Sequence, residues 1–585
     1  MIIAVRRARA ICAVLLGFVM FTGFIAVPAH ADVLPIITGN ERFHPVYARN
    51  GMVASQEALA SEIGVSILKQ GGNAVDAAVA TGFALAVTLP RAGNLGGGGF
   101  MLVHLAGTGE TIAIDYRETA PAAATRDMYL GPDGKADPDL SRNSGLGTGV
   151  PGTVAGLALA HEKYGSGTFT LAELIAPAIR LAEQGIRVSD DLAMSLGSAR
   201  ERIGKYEATN AIFYGGRGEA PRTGDILVQR DLANTLRVIA RDGLTGFYSG
   251  AIAEQIASSV RAAGGVMTAD DLAAYAPKLR EPVRGSYRGH EVVSMSPPSS
   301  GGIHIIQILK MLEGFDIADA GYGSARHFHL LAEAMRRAYA DRATYLGDPD
   351  HVAVPVKALL DEAYLASRAS GIDPERATPS AQVNAGTLPK QESEQTTHFS
   401  VVDRFGNAVS NTYTLNFSYG LGLVAEGTGV LLNNELDDFA AAPGVPNAYG
   451  LIGGEANAPA AGKRPLSSMS PTFVFRDGKL ELVTGTPGGS RIISMVTQVI
   501  IDMVDFNMNP AEAVAAPRMH HQWLPDVLRI EQGVSPDTAS LLEAMGHDVK
   551  TSYASGSVQS IMITPEGLLA GASDPRRPGA GVAGY

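Results

Sequence analysis

Residues 394–400 read EQTTHFS, where two adjacent threonines open a run of strand-forming residues after a long polar stretch. A threonine hydroxyl is a weak nucleophile unless a base stands beside it. One solution is to make the threonine N-terminal, so that its own α-amine takes the proton. An α-amine titrates near ~7.7–8.0, so a useful fraction is neutral at physiological pH, whereas a lysine near ~10.4 is not. Thr396 could work this way only if the Gln395–Thr396 bond were cut. Upstream, Ser380 to Gln395 shows neither strand nor helix periodicity, carries Gly386 and Pro389, and reads as a mobile loop. A mobile segment behind and a rigid strand ahead would let the new terminus separate and leave the threonine fixed.

Two β-rich runs, TTHFSVV and AVSNTYTL, flank Asp403-Arg404-Phe405-Gly406-Asn407, a turn-forming cluster that predicts a hairpin. With the turn at 403–407, Val402 faces Ala408 and paired residue numbers sum to 810, which sets Thr396 opposite Thr414. Opposed strand residues have Cβ atoms about 4.5–5.5 Å apart, within reach of a Thr–Thr hydrogen bond. Taken alone, both also read as ordinary strand threonines, because threonine favours strands.

Other chemistries find less support. The 13 histidines include no H-E-x-x-H; His327 and His329 are two apart and on a helix would point to different sides. His520-His521 has no further ligand at metal spacing, which favours a structural role. There is no G-x-x-x-x-G-K-[ST] and no G-x-S-x-G, and GNLGGGGF precedes a strand rather than a helix. Ser299, Ser300, Ser467 and Ser468 keep a serine hydrolase open, although Ser299-Ser300 is more simply a helix N-cap. The one cysteine, Cys12, lies in the leader, so cysteine nucleophiles and disulfides are excluded from the mature chain.

The leader itself carries Arg6, Arg7 and Arg9, an apolar run from Ala10 to about Val27, and Ala29-His30-Ala31, an A-x-A cleavage site. This pattern predicts a secretory signal peptide over residues 1–31, with an uncleaved anchor as the alternative. An exported chain without disulfides needs a large apolar core, and a hydrophobic content of 46% supplies the residues for one. The net charge of −12, with no basic cluster beyond the leader, argues against nucleic acid as a partner. No later run is long and apolar enough for a membrane span, so no membrane association is expected after the leader is removed.

These chemical residues need elements to hold them. Leu59, Ile63 and Ile67 recur at helical spacing up to Gly71-Gly72, and Asn73 can cap a second helix, AVDAAVATGFALAVTL, apolar on nearly every face and so buried on both sides. Strands are expected near Phe100–Leu105 and Thr111–Tyr116, with Arg117 at the end of the latter. The middle of the chain is mainly helical. Beyond Thr396 the pattern turns to strands, including a hairpin with Asp477-Gly478 at its turn, followed by a helix after TPGG. Sheets covered by helices, an α+β layered architecture, follow.

In order and spacing, GGNAVDAAVA, GGGGFMLVH, DYRETAP, GVPGTVAGL, TTHFSVVDRFGNAVSNTYTLN, LLNNELDDF, PGVPNAYGL, KRPLSSMSPT and TGTPGGSRI resemble the motifs of the gamma-glutamyltransferase (gamma-glutamyl transpeptidase) family over nearly all the mature chain. The resemblance implies an N-terminal-nucleophile hydrolase, an αββα four-layer sandwich made as a self-cleaving precursor. It implies a large subunit over 32–395 and a small subunit over 396–585 that stay together as a heterodimer. By motif, Thr396 is both the cleavage residue and the nucleophile, and Thr414 supports it. Gly488 and Gly489 form the oxyanion hole. The same resemblance assigns Arg117, Ser467 and Ser468 to the substrate α-carboxylate, and Asn416, Glu435 and Asp438 to its α-amino group. Tyr449, in a lid loop, covers the pocket.

The expected activity is transfer of the γ-glutamyl group of glutathione or related compounds to water or to amino acid and peptide acceptors, by a periplasmic or secreted protein and without a cofactor. Two alternatives stand beside it. One is a glutaryl-type cephalosporin acylase of the same family, against which Asp438 argues because a glutaryl group has no ammonium to pair. The other is an inactive binding protein of the export compartment. On their own, Arg117 and the pair Asp437-Asp438 would read as surface charges.

Overall fold

The hairpin around 403–407 lies in the middle of a seven-stranded antiparallel sheet in this computed structural model, which describes residues 42–216, 218–385, 397–442 and 455–585. The expected leader, Gln395, Thr396 and Tyr449 lie outside the described residues. In sheet order the strands are Gly581–Gly584, Met52–Ser55, Thr397–Val402, Ala408–Thr414, Gly98–Leu105, Glu110–Tyr116 and Lys278–Arg280. A second seven-stranded sheet is ordered Val46–Ala48, Leu569–Ser573, Gln559–Ile563, Lys479–Thr484, Thr472–Arg476, His290–Ser294 and Val283–Tyr287. The expected hairpin register is present: Val402 pairs with Ala408 and Thr397 with Tyr413.

Side-chain alternation along the hairpin assigns its two faces. Phe399, Val401, Val409 and Tyr413 join the core under the helices Ala58–Lys69, Ala74–Thr88, Thr153–Tyr164 and Leu171–Gln184. Burying one such aromatic contributes enough that Phe399→Ala would cost about 3–5 kcal/mol. The other face turns to the second sheet. There Ser400 Oγ donates to Gln559 O at 3.0 Å and Ser410 Oγ to Thr484 O at 3.0 Å. His398 sits between, with Nδ1 2.8 Å from Thr412 Oγ1 and Nε2 3.0 Å from Ser400 Oγ. Burial holds its pKa down to about 3, so the ring is neutral. Outside the second sheet lie Gly301–Leu312, Ala325–Tyr345 and Arg491–Val504, whose apolar residues form a second core with both sheets. The layers are therefore helix, sheet, sheet, helix.

The helix Ala74–Thr88 is buried at every residue and opens with a capping box between Asn73 and Asp76. Its start also fixes the hairpin. Asp403 Oδ1 accepts from the N–H groups of Phe405 and Asn407, while Oδ2 accepts from Ala74 N at 3.0 Å. A carboxylate at a helix N-terminus is favoured by the helix dipole, so one buried side chain closes the turn and docks it on the helix layer. Among the described residues no helix is long and apolar enough to cross a membrane.

Candidate active site

At the open end of the hairpin, Thr397 Oγ1 donates to Gln56 Oε1 at 2.8 Å. Opposite, Thr414 is fixed from two sides. Its carbonyl accepts from Asn94 Nδ2 at 2.9 Å, and its Oγ1 accepts from Asn416 N at 2.7 Å. Asn416 has a φ of +69°, in the left-handed region that asparagine tolerates, and its Nδ2 donates to Asn434 O at 2.8 Å. The glycine run before Phe100 has a steric reason. A Cβ at Gly97 would stand 1.8 Å from Thr414 O, and one at Gly98 2.6 Å from Glu118 Oε2. These glycines allow close backbone approach and do not form a phosphate loop.

Gly488 and Gly489 have φ values of +139° and +65° and lead into Arg491–Val504, with Gly489 O accepting from Ile492 N. A cavity of about 570 Å³ is lined by Thr414, Asn416 and Gly488 among others. The structure thus brings together three of the residues singled out from the sequence, next to the point where the described strand begins.

Arg117, Glu435 and Asp438 form a second group, fully buried and outside the lining of that cavity. The Arg117 guanidinium donates through Nη1 to Glu435 and through Nη2 to Asp438. Its Nε donates to Pro465 O at 3.1 Å and Nη2 also to Leu466 O at 3.3 Å. Glu435–Asp438 is a 3₁₀ turn that begins right after Asn434, the acceptor of Asn416, so the two groups are joined through two residues. Asp437 points elsewhere and accepts from Ser141 Oγ and, at 3.3 Å, Arg142 Nε. Neither acid of the pair is a solvated loop charge, and Arg117 is not a surface cation.

Ser467 and Ser468 follow the carbonyls that Arg117 reaches. Ser467 Oγ accepts from Met469 N at 3.1 Å, and Ser468 Oγ accepts from Arg342 Nη2 at 2.5 Å. Ser300 occupies the expected N-cap position, but its side chain does not cap: Oγ donates to Ser467 O at 2.8 Å and accepts from Arg342 Nε at 2.6 Å. Ser299 Oγ accepts from Gly301 N instead.

Sequence reasoning missed Glu118 and Arg342. Glu118 stood in the motif DYRETAP beside Arg117, and its Oε2 is 3.9 Å from Arg117 Nη1. Neither of its carboxylate oxygens has a hydrogen-bond partner among the described residues. Burial pushes its pKa up to about 8 against the pull of Arg117. Burial likewise raises Glu435 and Asp438 well above the usual carboxylate range. Burial also works against the Arg117 cation, but the carboxylates outweigh it and hold it charged. One guanidinium among three buried carboxylates cannot balance three negative charges, so this cluster retains a proton at neutral pH. His520 and His521 are buried, with His520 Nδ1 2.9 Å from Ser494 Oγ. Among the described residues no three metal-ligating side chains come together.

Two antiparallel sheets face to face between helix layers define the N-terminal-nucleophile hydrolase class of sandwich. The chain belongs to the gamma-glutamyltranspeptidase family, whose model, described as Gamma-glutamyltranspeptidase, matches residues 60–584. It is 54% identical over 582 residues to the glutathione hydrolase proenzyme of Escherichia coli (strain K12), with 99% of each chain covered. Among solved structures it is similar to a cephalosporin acylase from Bacillus halodurans, with a TM-score of 0.82, 30% identity, and 93% of this chain and 97% of that chain covered. It is also similar to the Helicobacter pylori gamma-glutamyltranspeptidase, with a TM-score of 0.55, 50% identity, and 56% and 93% covered.

Proposed function

We propose that the chain is a glutathione hydrolase and γ-glutamyltransferase precursor that cuts itself between Gln395 and Thr396 and uses the new N-terminal threonine as nucleophile. The observation that carries this reading is the hairpin register. It runs to Thr397 opposite Tyr413; the register expected from the sequence pairs the next residue, Thr396, with Thr414, and Thr414 lines a cavity together with Gly488. The E. coli relative is named a proenzyme, which supports cleavage.

In the cleaved enzyme the Thr396 α-amine accepts the hydroxyl proton as Oγ attacks the γ-carbonyl. Backbone N–H groups of Gly488 and Gly489 stabilise the oxyanion, and the proton passes to the departing amine as the amide C–N bond breaks. The γ-glutamyl ester left on Thr396 is then resolved by water or by the amine of an amino acid or peptide acceptor. Thr414 holds the nucleophile. Arg117, Ser467 and Ser468 receive the α-carboxylate, while Asn416, Glu435 and Asp438 receive the α-ammonium. A zwitterionic α-amino acid head suits this cluster, because its two charges can take over the partners that Arg117 and the two carboxylates now give each other.

Subunits of residues 32–395 and 396–585, a leader over 1–31, export to the periplasm and a lid carrying Tyr449 complete the proposal. The acylase alternative is disfavoured by the pairing of Asp438 and Glu435 with Arg117, since a glutaryl group would bring a second anion and no cation. Steady-state assay of a γ-glutamyl anilide with and without a dipeptide acceptor tests the proposal. Turnover that the acceptor accelerates is expected, and no turnover of the γ-glutamyl anilide by purified, cleaved protein would refute it.

A further inference from the structure

The loop that follows Arg518 serves two places at once. Gln522 and Pro525 line the cavity beside Thr414, while Trp523 and Asp526 hold a stretch of the proposed large subunit. Trp523 shares its one indole N–H between two main-chain carbonyls, with Nε1 3.0 Å from Ser380 O and 2.8 Å from Val383 O. Asp526 Oδ2 accepts from Ser380 N at 2.7 Å, and Arg336 Nη1 donates to both Ser380 Oγ and Asp526 Oδ1. Ser380 and Val383 are buried. Trp523 has a φ of +65°, a conformation that is rare for a bulky residue and persists only where the surroundings hold it. Its main-chain N–H donates to His521 Nδ1 at 3.1 Å. The reaction proposed above uses none of these contacts.

We infer that Trp523 and Asp526 form a clasp across the cleavage point: positioning residues that hold the chain at 380–383 while the precursor cuts itself, and that keep this end of the large subunit on the small subunit afterwards. The inference rests on the cut between Gln395 and Thr396 proposed above. Its first support is placement. Thr397 is fixed by its strand and by Gln56, so residues 384–396 join two held ends. The entropy cost of bringing a reacting pair together rises with the length of chain left unanchored. Pinning the chain at Val383, rather than only at Thr378 where Glu333 holds it, shortens that length. The second support is the choice of atoms. Ser380–Gln382 is a 3₁₀ turn that brings the carbonyls of Ser380 and Val383 to a single N–H, and Asp526 takes the main-chain N–H at the start of the same turn. Main-chain groups need such partners when buried, and a grip on them fixes the position of the chain whatever side chains it carries. The third support is continuity. Because the clasp and one wall of the cavity belong to the same loop, the held stretch is tied to the site that Thr414 and Gly488 border.

Two measurements test the clasp. Carboxypeptidase digestion of the cleaved wild-type protein, read by intact-mass spectrometry, should shorten the large subunit from Gln395 and stall with Val383 retained, because residues 380–383 open only rarely. Trp523→Phe keeps an aromatic ring and removes the N–H. In that variant trimming should pass Val383, and precursor cleavage should slow by about twofold to tenfold, the worth of a neutral hydrogen bond. Turnover of a γ-glutamyl anilide per cleaved molecule should stay near the wild-type value, which separates positioning for cleavage from general damage. The wild-type digestion needs no variant and stands if Trp523→Phe fails to fold. A wild-type chain that splits but is trimmed through Ser380 overturns the clasp and leaves the cleavage intact. An unchanged cleavage rate in Trp523→Phe, or equal losses in cleavage and turnover, overturns the positioning role. A wild-type chain that never splits refutes the proposed cleavage instead.

Discussion

Arg117 and Asp438, 321 residues apart in sequence, share a direct hydrogen bond in a site where both side chains are about 1% exposed. Asp438 Oδ1 has no hydrogen-bond partner among the described residues, so the same carboxylate that compensates Arg117 retains acceptor capacity for an ammonium. Breaking a buried charge pair from one side costs on the order of 3–5 kcal/mol. Asp438→Asn should therefore lower kcat/KM on γ-glutamyl anilides by roughly two to four powers of ten. Matched glutaryl anilides, which carry no ammonium, should lose little or gain. An unchanged γ-glutamyl-to-glutaryl ratio would remove Asp438 from amine recognition.

Glu118 gives the site a pH signature. Burial raises its pKa up to about 8 from an ordinary 4.5. Below 4.5 both folded and unfolded chains hold the proton and its contribution to stability is fully present. Between the two values only the folded chain holds it, so stability falls as pH rises through this window and the contribution is gone above about 8. Glu118→Gln mimics the protonated acid. Its Tm should decline less than that of wild type between pH 5 and 8, and superimposable Tm profiles would show that Glu118 is not protonated in the fold.

The parts that were legible in the sequence are those governed by local rules. The hairpin register followed from turn chemistry at 403–407 and the period of two, and the Asn73 cap and the buried helix after it followed from capping and composition. Arg117 and Asp438 stood out only through the family resemblance; read alone they were surface charges, because their burial and contact depend on how distant loops meet. Glu118 was in view inside DYRETAP, yet a glutamate beside an arginine gives no sign of burial.

Asp403 closes the hairpin turn and docks it on Ala74. Asp403→Ala removes a buried acceptor from several N–H groups at once, and bonds to a charged group are worth about 1.5–3 kcal/mol each. Unfolding midpoints in denaturant should shift by the equivalent of about 3 kcal/mol or more, with the m-value unchanged. A shift under about 1 kcal/mol would mean that the turn is held by other contacts.

Thr414→Ala removes the Oγ1 that accepts from Asn416 N, as well as the partner proposed for Thr396. Each neutral hydrogen bond contributes about 0.5–1.5 kcal/mol, so precursor cleavage and anilide turnover should both slow by roughly threefold to a hundredfold without being abolished. Time courses of band appearance and steady-state rates measure the two processes. If neither changes, the support role for Thr414 is wrong.

Intact-mass spectrometry of wild type and Thr396→Ala tests most directly the proposal that Thr396 is both cleavage residue and nucleophile. Two wild-type fragments are expected, one ending at Gln395 and one beginning at Thr396, and a single inactive chain for Thr396→Ala. A Thr396→Ala preparation that still splits at this bond, or a wild-type chain that turns over γ-glutamyl substrates while uncut, would contradict it.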